Sequence, residues 1–192
     1  MSRASDLPAV RALRHVPNAI TVVRGLLIPV VGALLLGERY IEAFWTLLAS
    51  GVSDLVDGQV ARRFDARSRF GAVADPVADK LTMLTVTLIL AWQGLVPIWL
   101  AAAIVLRDIV IVGGALAYHH LIGRVDMAPT WLSKFNTALE FVVLATVIAA
   151  AAGMIDDREW LPALFAAVLV TIVTSGIHYV WIWGRRAWSA SR

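Results

Sequence analysis

Six long apolar runs, separated by short breaks, constrain the fold of this chain more than any other feature. Each run approaches the roughly 20 apolar residues that a helix needs to cross the hydrocarbon core of a bilayer. The breaks carry glycine or charge, as in Gly37-Glu38-Arg39 and Asp156-Asp157-Arg158-Glu159. The sequence therefore predicts an all-α fold, an integral membrane bundle of six transmembrane helices. The predicted spans cover about residues 18–36, 41–62, 71–92, 97–118, 132–152 and 161–183.

The composition agrees with a single membrane domain. Of the 192 residues, 59% are hydrophobic and only 16% are charged, which is unlike a soluble domain. The chain has no cysteine, so disulfides and thiolate metal sites are excluded. We divide it into an amphipathic juxtamembrane segment (1–16), a six-helix membrane domain (17–186) and a C-terminal tail (187–192).

The first segment has its own apolar pattern. Leu7, Val10 and Leu13 recur at every third position among arginines. A helix with this spacing has one apolar stripe and is expected to lie on the membrane surface, its arginines at anionic headgroups. A frayed terminus is the alternative.

Arginines predict the orientation of the bundle. With six spans, most of them fall on one side, whereas Arg39 and Arg158 lie on the other. The positive-inside rule then places both termini and the acidic stretch described next at the cytoplasmic face. A bacterial-type inner membrane is the expected location.

Acidic residues occur in pairs between the second and third runs. Asp54 and Asp57 are three residues apart, and Asp75 and Asp79 are four apart. Residues at these spacings share one face of a helix, so each pair can direct its oxygens to one point. Acids at membrane depth are costly, which makes function the default explanation. Pro76 predicts a helix start with Asp75 as its cap, or else a kink inside a longer helix.

Two carboxylate pairs offer the oxygen ligands that Mg²⁺ and similar cations prefer. Two such ions can clamp a phosphate during an in-line displacement. Gly58 and Gly71 allow close approach of a ligand, and Arg62 presents a fork that matches phosphate oxygens. The residues thus predict metal-assisted phosphoryl chemistry on a lipid-soluble or lipid-attached substrate. A purely structural pairing of the acids with Arg62, Arg63 or Lys80 is the alternative.

The spacing of this stretch resembles the signature of the CDP-alcohol phosphotransferase family. The matching residues read Asp54-x-x-Asp57-Gly58-x-x-Ala61-Arg62, then eight residues, then Gly71-x-x-x-Asp75-x-x-x-Asp79. The resemblance extends to Val16-Pro17-Asn18 before the motif and to Ser133-Lys134-x-Asn136-Thr137 after it. It therefore covers nearly the whole chain.

The resemblance implies a role for each matching residue. Asp54, Asp57, Asp75 and Asp79 would bind two Mg²⁺ or Mn²⁺ ions, and Asp79 would also act as the general base. Contacts to CDP-diacylglycerol are implied for Pro17, Asn18, Ala19, Ile20, Gly58, Ala61, Arg62, Ser68 and Gly71. Without the resemblance, Asn18 would be interpreted as a helix cap, and Arg62 as an arginine that follows the positive-inside rule without contacting a substrate. The resemblance also implies a homodimer.

Two cations are candidates for contacting the acceptor. Arg107 lies inside the fourth run and Lys134 begins the fifth. The alternatives are an interhelical ion pair between Arg107 and Glu140 or a motif acid, and an interfacial position for Lys134. Because adjacent helical residues point about 100° apart, we expect Arg107 and Asp108 to have separate partners.

The expected activity is transfer of the phosphatidyl group of CDP-diacylglycerol to an alcohol, with release of CMP. Phosphatidylglycerol is the preferred acceptor, as in a cardiolipin synthase, because residues 105–110 and 128–138 resemble that branch of the family more closely. Glycerol-3-phosphate, as in a phosphatidylglycerophosphate synthase, is the alternative. An ion-coupled membrane transporter is the rival from another class, and a nucleic-acid partner is not expected.

Overall fold

The computed structural model describes residues 25–63, 69–121, 131–156 and 158–190, with side chains for most of them. All regular structure in these ranges is helical, which confirms the all-α prediction, and the described ranges contain no strand. The helices are α1 (Gly25–Leu36), α2 (Tyr40–Arg63), α3 (Arg69–Trp92), α4 (Ile98–Leu121), α5 (Trp131–Ala151) and α6 (Leu161–Ala190).

Glycine ends two of these helices at predicted breaks. Gly94 has a φ of 74° after α3, and the Leu95 N–H donates to the Leu90 carbonyl at 2.9 Å. Gly153 has a φ of 73° after α5, and the Met154 N–H donates to the Ala149 carbonyl at 2.9 Å. Glycine adopts this left-handed conformation without a steric penalty, so backbone N–H groups satisfy the last carbonyls of each helix.

Pro76 does not begin a helix. Helix α3 starts at Arg69, so the interpretation of Asp75 as a cap is wrong and Pro76 lies inside the helix. Proline lacks an N–H, so the Ala72 carbonyl loses its helical hydrogen bond, and the proline ring crowds the same carbonyl, which makes this an unfavourable but local feature of the helix. Asp75 and Asp79 consequently lie on one continuous helix, about one turn apart.

The chain divides into two compact units, Met1–Ile89 and Leu90–Arg192. In the first unit α1 and α3 approach closely at Gly32. A Cβ atom at Gly32 would lie 3.4 Å from Thr85 Cγ2 and 3.6 Å from Ile89 Cδ1. The absence of a side chain at Gly32 therefore lets the two helices pack with little space between them. The buried apolar residues of this unit include Val31, Leu35, Ala43, Leu47, Met83 and Val86.

In the second unit α6 packs against both α4 and α5. The buried stripe of α5 changes character along the helix. Its first buried residues are polar (Ser133, Asn136 and Glu140), and those that follow are apolar. The apolar section comprises Val143, Leu144, Val147, Ile148, Ala149 and Ala150.

Two helical segments, Trp131–Ala151 and Leu161–Tyr179, are long and apolar enough to cross a membrane. The bounds of all six helices agree with the predicted spans to within a few residues, except that α1 is described only from Gly25 and α6 extends to Ala190. The six transmembrane spans stay a prediction. The proposed interfacial helix within residues 1–16 lies outside the described residues.

Candidate active site

The acidic pairs lie on two consecutive helices. Asp54 and Asp57 are on α2, and Asp75 and Asp79 are on α3. This placement confirms that each pair has helical spacing. The side chains of Asp54, Asp57 and Asp75 lie outside those described, whereas Asp79 is half-buried. Convergence of the four carboxylates therefore stays a prediction.

The first pair continues the buried stripe of α2. Ala43, Leu47 and Ser50 are the buried residues of the described part of this helix. Their spacing of four and then three residues is that of one helical face. The next positions of the same face are Asp54 and Asp57. By register, the first acidic pair therefore belongs to the face that α2 buries.

Asp75 and Asp79 are likewise in helical register with the buried residues of α3. Thr82, Met83 and Val86 are buried, and they follow Asp79 at intervals of three, four and seven residues. Asp75 lies four residues before Asp79 and therefore on the same face. The hydroxyl of Thr82 donates to the Ala78 carbonyl at 2.9 Å, so this polar side chain is satisfied within its own helix. By register, Asp75 and Asp79 therefore share the helical face on which Thr82, Met83 and Val86 are buried.

The two pairs also lie at matching distances from the segment that joins their helices. Asp57 lies six residues before the end of α2 at Arg63, and Asp75 lies six residues after the start of α3 at Arg69. With a rise of about 1.5 Å per residue, each is about 9 Å along its helix from residues 64–68. Asp54 and Asp79 lie about one further turn away on their helices.

The predicted nucleotide-lipid contacts fall partly within the described helices. Gly58, Ala61 and Arg62 lie in the last two turns of α2, and Gly71 lies in the first turn of α3. Ser68 and the stretch from Pro17 to Ile20 lie outside the described residues. Among side chains that the structure does describe, no group of three or more His, Asp or Glu residues forms another candidate metal site.

Arg107 is buried in the second unit, where it connects α4 to α5. Its Nη2 donates to Ser133 Oγ at 2.7 Å, and the residue is 5% exposed. Its Nη1 donates to Asp108 Oδ1 at 3.0 Å. The expectation that Arg107 and Asp108 have separate partners is therefore wrong. The long arginine side chain turns back to its neighbour, so the 100° offset of the two Cβ atoms does not keep the charged groups apart.

Lys134 follows Ser133 in the sequence but is exposed. Arg107 and the start of α5 therefore come together, while the lysine lies at the surface of the second unit. Acceptor contacts by Arg107 and Lys134 stay predictions, and so does the interfacial alternative for Lys134.

A buried polar seam on α5 and α6 was not predicted as a site feature. We define it as Ser133, Asn136 and Glu140 on α5 with Thr171 and Ser175 on α6. The Thr171 hydroxyl donates to Asn136 Oδ1 at 2.8 Å, and Asn136, Glu140 and Ser175 are buried. The sequence feature that could have indicated this seam is the recurrence of polar residues at intervals of three and four in otherwise apolar runs.

Comparison with known proteins identifies the family. The profile of the CDP-alcohol phosphatidyltransferase family matches residues 14–182. Human cardiolipin synthase (CMP-forming) is 27% identical over 180 residues, which cover 85% of this chain and 60% of the human protein. The chloroplastic CDP-diacylglycerol–glycerol-3-phosphate 3-phosphatidyltransferase 1 of Oryza sativa is 29% identical over 183 residues, covering 86% of this chain and 56% of its own.

A third similar protein comes from Schizosaccharomyces pombe. It is a cardiolipin synthase (CMP-forming) / mitochondrial hydrolase fusion protein, 34% identical over 191 residues, which cover 90% of this chain and 32% of the fusion. The chain thus spans about a third to three fifths of the length of these curated relatives. Since the family profile matches most of the chain, this protein belongs to the CDP-alcohol phosphatidyltransferase family.

Proposed function

We propose that this protein transfers the phosphatidyl group of CDP-diacylglycerol to an alcohol and releases CMP. The observation that supports this most directly is the register of the acids. Asp54 and Asp57 are in helical register with the buried residues of α2, and Asp75 and Asp79 are in register with those of α3. Acids on buried helix faces are unfavourable as mere structural links. An interior phosphoryl-transfer site accounts for all four.

The donor set fits a hard divalent cation. Mg²⁺ and Mn²⁺ prefer oxygen ligands such as carboxylates over thiolates. Two such ions would therefore be held by Asp54, Asp57, Asp75 and Asp79. Bound there, the ions would supply positive charge that stabilises the oxygens of the transferring phosphate. Arg62, in the last turn of α2, would bind the diphosphate of the nucleotide.

Asp79 would act as the general base. The acceptor hydroxyl forms a new oxygen–phosphorus bond, the bond between that phosphorus and the CMP oxygen breaks, and the hydroxyl proton passes to the carboxylate. Asp79 is half-buried, one turn before the buried Thr82 and Met83. Its match to the last aspartate of the family signature supports the assignment as the base.

Phosphatidylglycerol is the preferred acceptor, which makes the proposed activity that of a cardiolipin synthase. Two of the three relatives described above are named for that activity, and the rice protein is named for glycerol-3-phosphate. Glycerol-3-phosphate is accordingly the alternative acceptor. Arg107 is the candidate for contacting the acceptor in the second unit, because it has donors beyond those used by Asp108 and Ser133.

Exposed apolar side chains support a location in the membrane. Trp92 at the end of α3 is 80% exposed and Trp131 at the start of α5 is 87% exposed. Ile98, Leu106, Ile109, Val170 and Ile177 are also largely exposed. Extensive exposed apolar surface marks contact with lipid or another protein. We further propose a cytoplasmic active site, a bacterial-type inner membrane and a homodimer.

The test is direct turnover by the full chain in detergent. Labelled CDP-diacylglycerol and Mg²⁺ are supplied with phosphatidylglycerol or with glycerol-3-phosphate, and CMP and the lipid product are identified. We expect CMP release with formation of cardiolipin. If glycerol-3-phosphate alone is consumed, the alternative acceptor is correct. An absence of CMP with both acceptors would refute the proposed activity and favour the transporter.

A further inference from the structure

The second unit buries polar side-chain atoms that have no hydrogen-bond partner among the described residues. Arg107 Nε, Asn136 Nδ2 and Ser175 Oγ are of this kind. Asn136 and Ser175 are completely buried, and Arg107 is 5% exposed. A buried polar group without a partner is costly, and nearly all such groups in proteins are bonded to protein or to ordered water. These three atoms therefore require a partner inside the unit.

The three atoms lie at about the same depth of the second unit. Arg107 Nη2 is bonded to Ser133, one turn before Asn136 on α5, and Asn136 is bonded to Thr171 on α6. Helices α5 and α6 pack together and are joined by a short connection, so they run antiparallel. Ser175, four residues after Thr171, is therefore about 6 Å further toward the level of Ser133. Arg107 and Ser175 thus approach the polar end of α5 from two other helices.

The need for a further partner does not depend on the orientation of the Asn136 amide. The Thr171 hydroxyl lies 2.8 Å from Asn136 Oδ1 and 2.8 Å from the Val168 carbonyl, and it has one proton. If that proton goes to Asn136, the amide nitrogen has no partner among the described residues. If it goes to Val168, a rotated amide can donate to Thr171, and the amide oxygen then lacks a donor. One end of Asn136 requires another group in both cases.

The chemistry of the three atoms matches a water molecule. Arg107 Nε and Asn136 Nδ2 donate, whereas Ser175 Oγ can accept or donate. A water molecule accepts two hydrogen bonds and donates two, and buried waters typically make about three bonds to such polar groups. Ser133 and Ser175 are also much smaller than the leucine and valines of the apolar section of α5. Space for a molecule of this size is therefore expected at the polar end of the seam.

We infer that the polar seam holds interior water, bonded to Arg107 Nε, the Asn136 amide and Ser175 Oγ, which connects α4, α5 and α6. Ordered water of this kind satisfies polar groups that a membrane interior cannot. The site lies wholly within the second unit and is independent of the proposed phosphatidyl transfer.

Asn18 and Asn136 are the two asparagines of the chain, which permits a direct measurement. The full chain in detergent is labelled with ¹⁵N in asparagine alone, and Asn18→Gln assigns the side-chain amide of Asn136. We expect a rotating-frame cross-peak from these amide protons to water, with the sign of dipolar transfer and not of chemical exchange. It should persist in Thr171→Val, which removes the neighbouring hydroxyl proton as its source. An absent peak, its loss in Thr171→Val, or a peak to detergent protons instead would overturn the inference.

Ser175→Ala provides a second test through the sign of a stability change. If Ser175 Oγ bonds to water, the substitution removes a hydrogen bond, and we expect the midpoint of thermal unfolding to fall by about 2–4 °C. If the hydroxyl is buried dry, its removal relieves an uncompensated polar group and the midpoint rises. An unchanged or higher midpoint in Ser175→Ala would therefore contradict the water site.

Thr87→Val on α3 is the matched control. Thr87 Oγ1 is also buried without a hydrogen-bond partner among the described residues, but the buried residues four before and three after it, Met83 and Leu90, are apolar. With no cluster of polar groups to hold water there, we expect an unchanged or higher midpoint. Opposite responses of the two variants, measured in the same detergent, would distinguish a hydrated hydroxyl from a dry one.

Discussion

The hydroxyl of Thr171 on α6 lies 2.8 Å from Oδ1 of Asn136 on α5, and Asn136 is completely buried. This bond joins the two helices within the polar section of the buried stripe of α5. The Thr171 hydroxyl also lies 2.8 Å from the Val168 carbonyl of its own helix, and its single proton can be donated to only one of the two oxygens at a time. The contact with Asn136 ties α6 to α5 within the second unit.

Thr171→Val should lower stability. The substitution leaves Asn136 Oδ1 buried without this donor, for which we expect a loss of about 0.5–2 kcal/mol in the free energy of unfolding. Thr174→Val is the control, because Thr174 is exposed and donates only to carbonyls of its own helix. Unfolding of both variants in the same detergent measures the difference. Equal midpoints would show that the bond between the helices contributes nothing.

Ser133→Ala should weaken acceptor use without affecting the nucleotide substrate. The substitution removes the hydroxyl that fixes Arg107 Nη2, so the guanidinium loses its fixed position. We expect the KM for phosphatidylglycerol to rise about tenfold, a loss near 1.4 kcal/mol, with little change in the KM for CDP-diacylglycerol. Ser133→Thr keeps a hydroxyl and should retain most of the affinity. A parallel rise in both KM values would point to a general structural role.

Asp79→Asn should abolish turnover while the protein stays folded. An amide cannot accept the proton of the acceptor hydroxyl, so we expect kcat to fall by about 10²- to 10⁴-fold. CMP release measures the rate, and gel filtration in detergent checks the fold. Asp156→Asn is the control because Asp156 is exposed. Near-normal turnover of Asp79→Asn would exclude Asp79 as the base.

Removal of divalent cations should stop CMP release, and Mg²⁺ or Mn²⁺ should restore it. At the proposed site the four carboxylates would repel one another unless cations compensated them. Binding of Mn²⁺, followed by electron paramagnetic resonance, provides a readout that is independent of activity. We expect weaker binding in Asp57→Asn and unchanged binding in Asp156→Asn. Full activity in excess chelator would contradict the metal assignment.

Gly32 offers a test of the close approach of α1 and α3. Gly32→Ala adds a Cβ at ordinary contact distance from Thr85 and Ile89 and removes a poor helix former, so stability should hold or rise. Gly32→Leu overfills the contact and should cost about 1–3 kcal/mol. Gly113→Leu on α4 is the control, since a Cβ there meets no described atom within 4 Å. Equal stability of both leucine variants would contradict this packing.

The helices were largely predictable, because their signals are local. Apolar runs and the short breaks between them that carry glycine or charge indicated where helices end, and the bounds of the helices agree with the predicted spans to within a few residues. Pro76 was the exception. A proline favours the first turn of a helix and is costly in its interior, so the local signal indicated a helix start. Here residues 69–75 continue the helix, which the local signal did not show.

The spacing of the four aspartates already predicted which residues share a helix face and which ligands they favour, because both depend on neighbours along the chain. The partners of Arg107 and Asn136 depended on packing. Ser133 is 26 residues from Arg107, and Thr171 is 35 residues from Asn136. Which side chains meet across two helices is decided by their relative rotation and depth, and periodicity along one helix carries no information about either. The helical register of the acids was thus determined by the amino-acid order, whereas the bond from Arg107 to Ser133 and the polar seam arose from how α4, α5 and α6 pack.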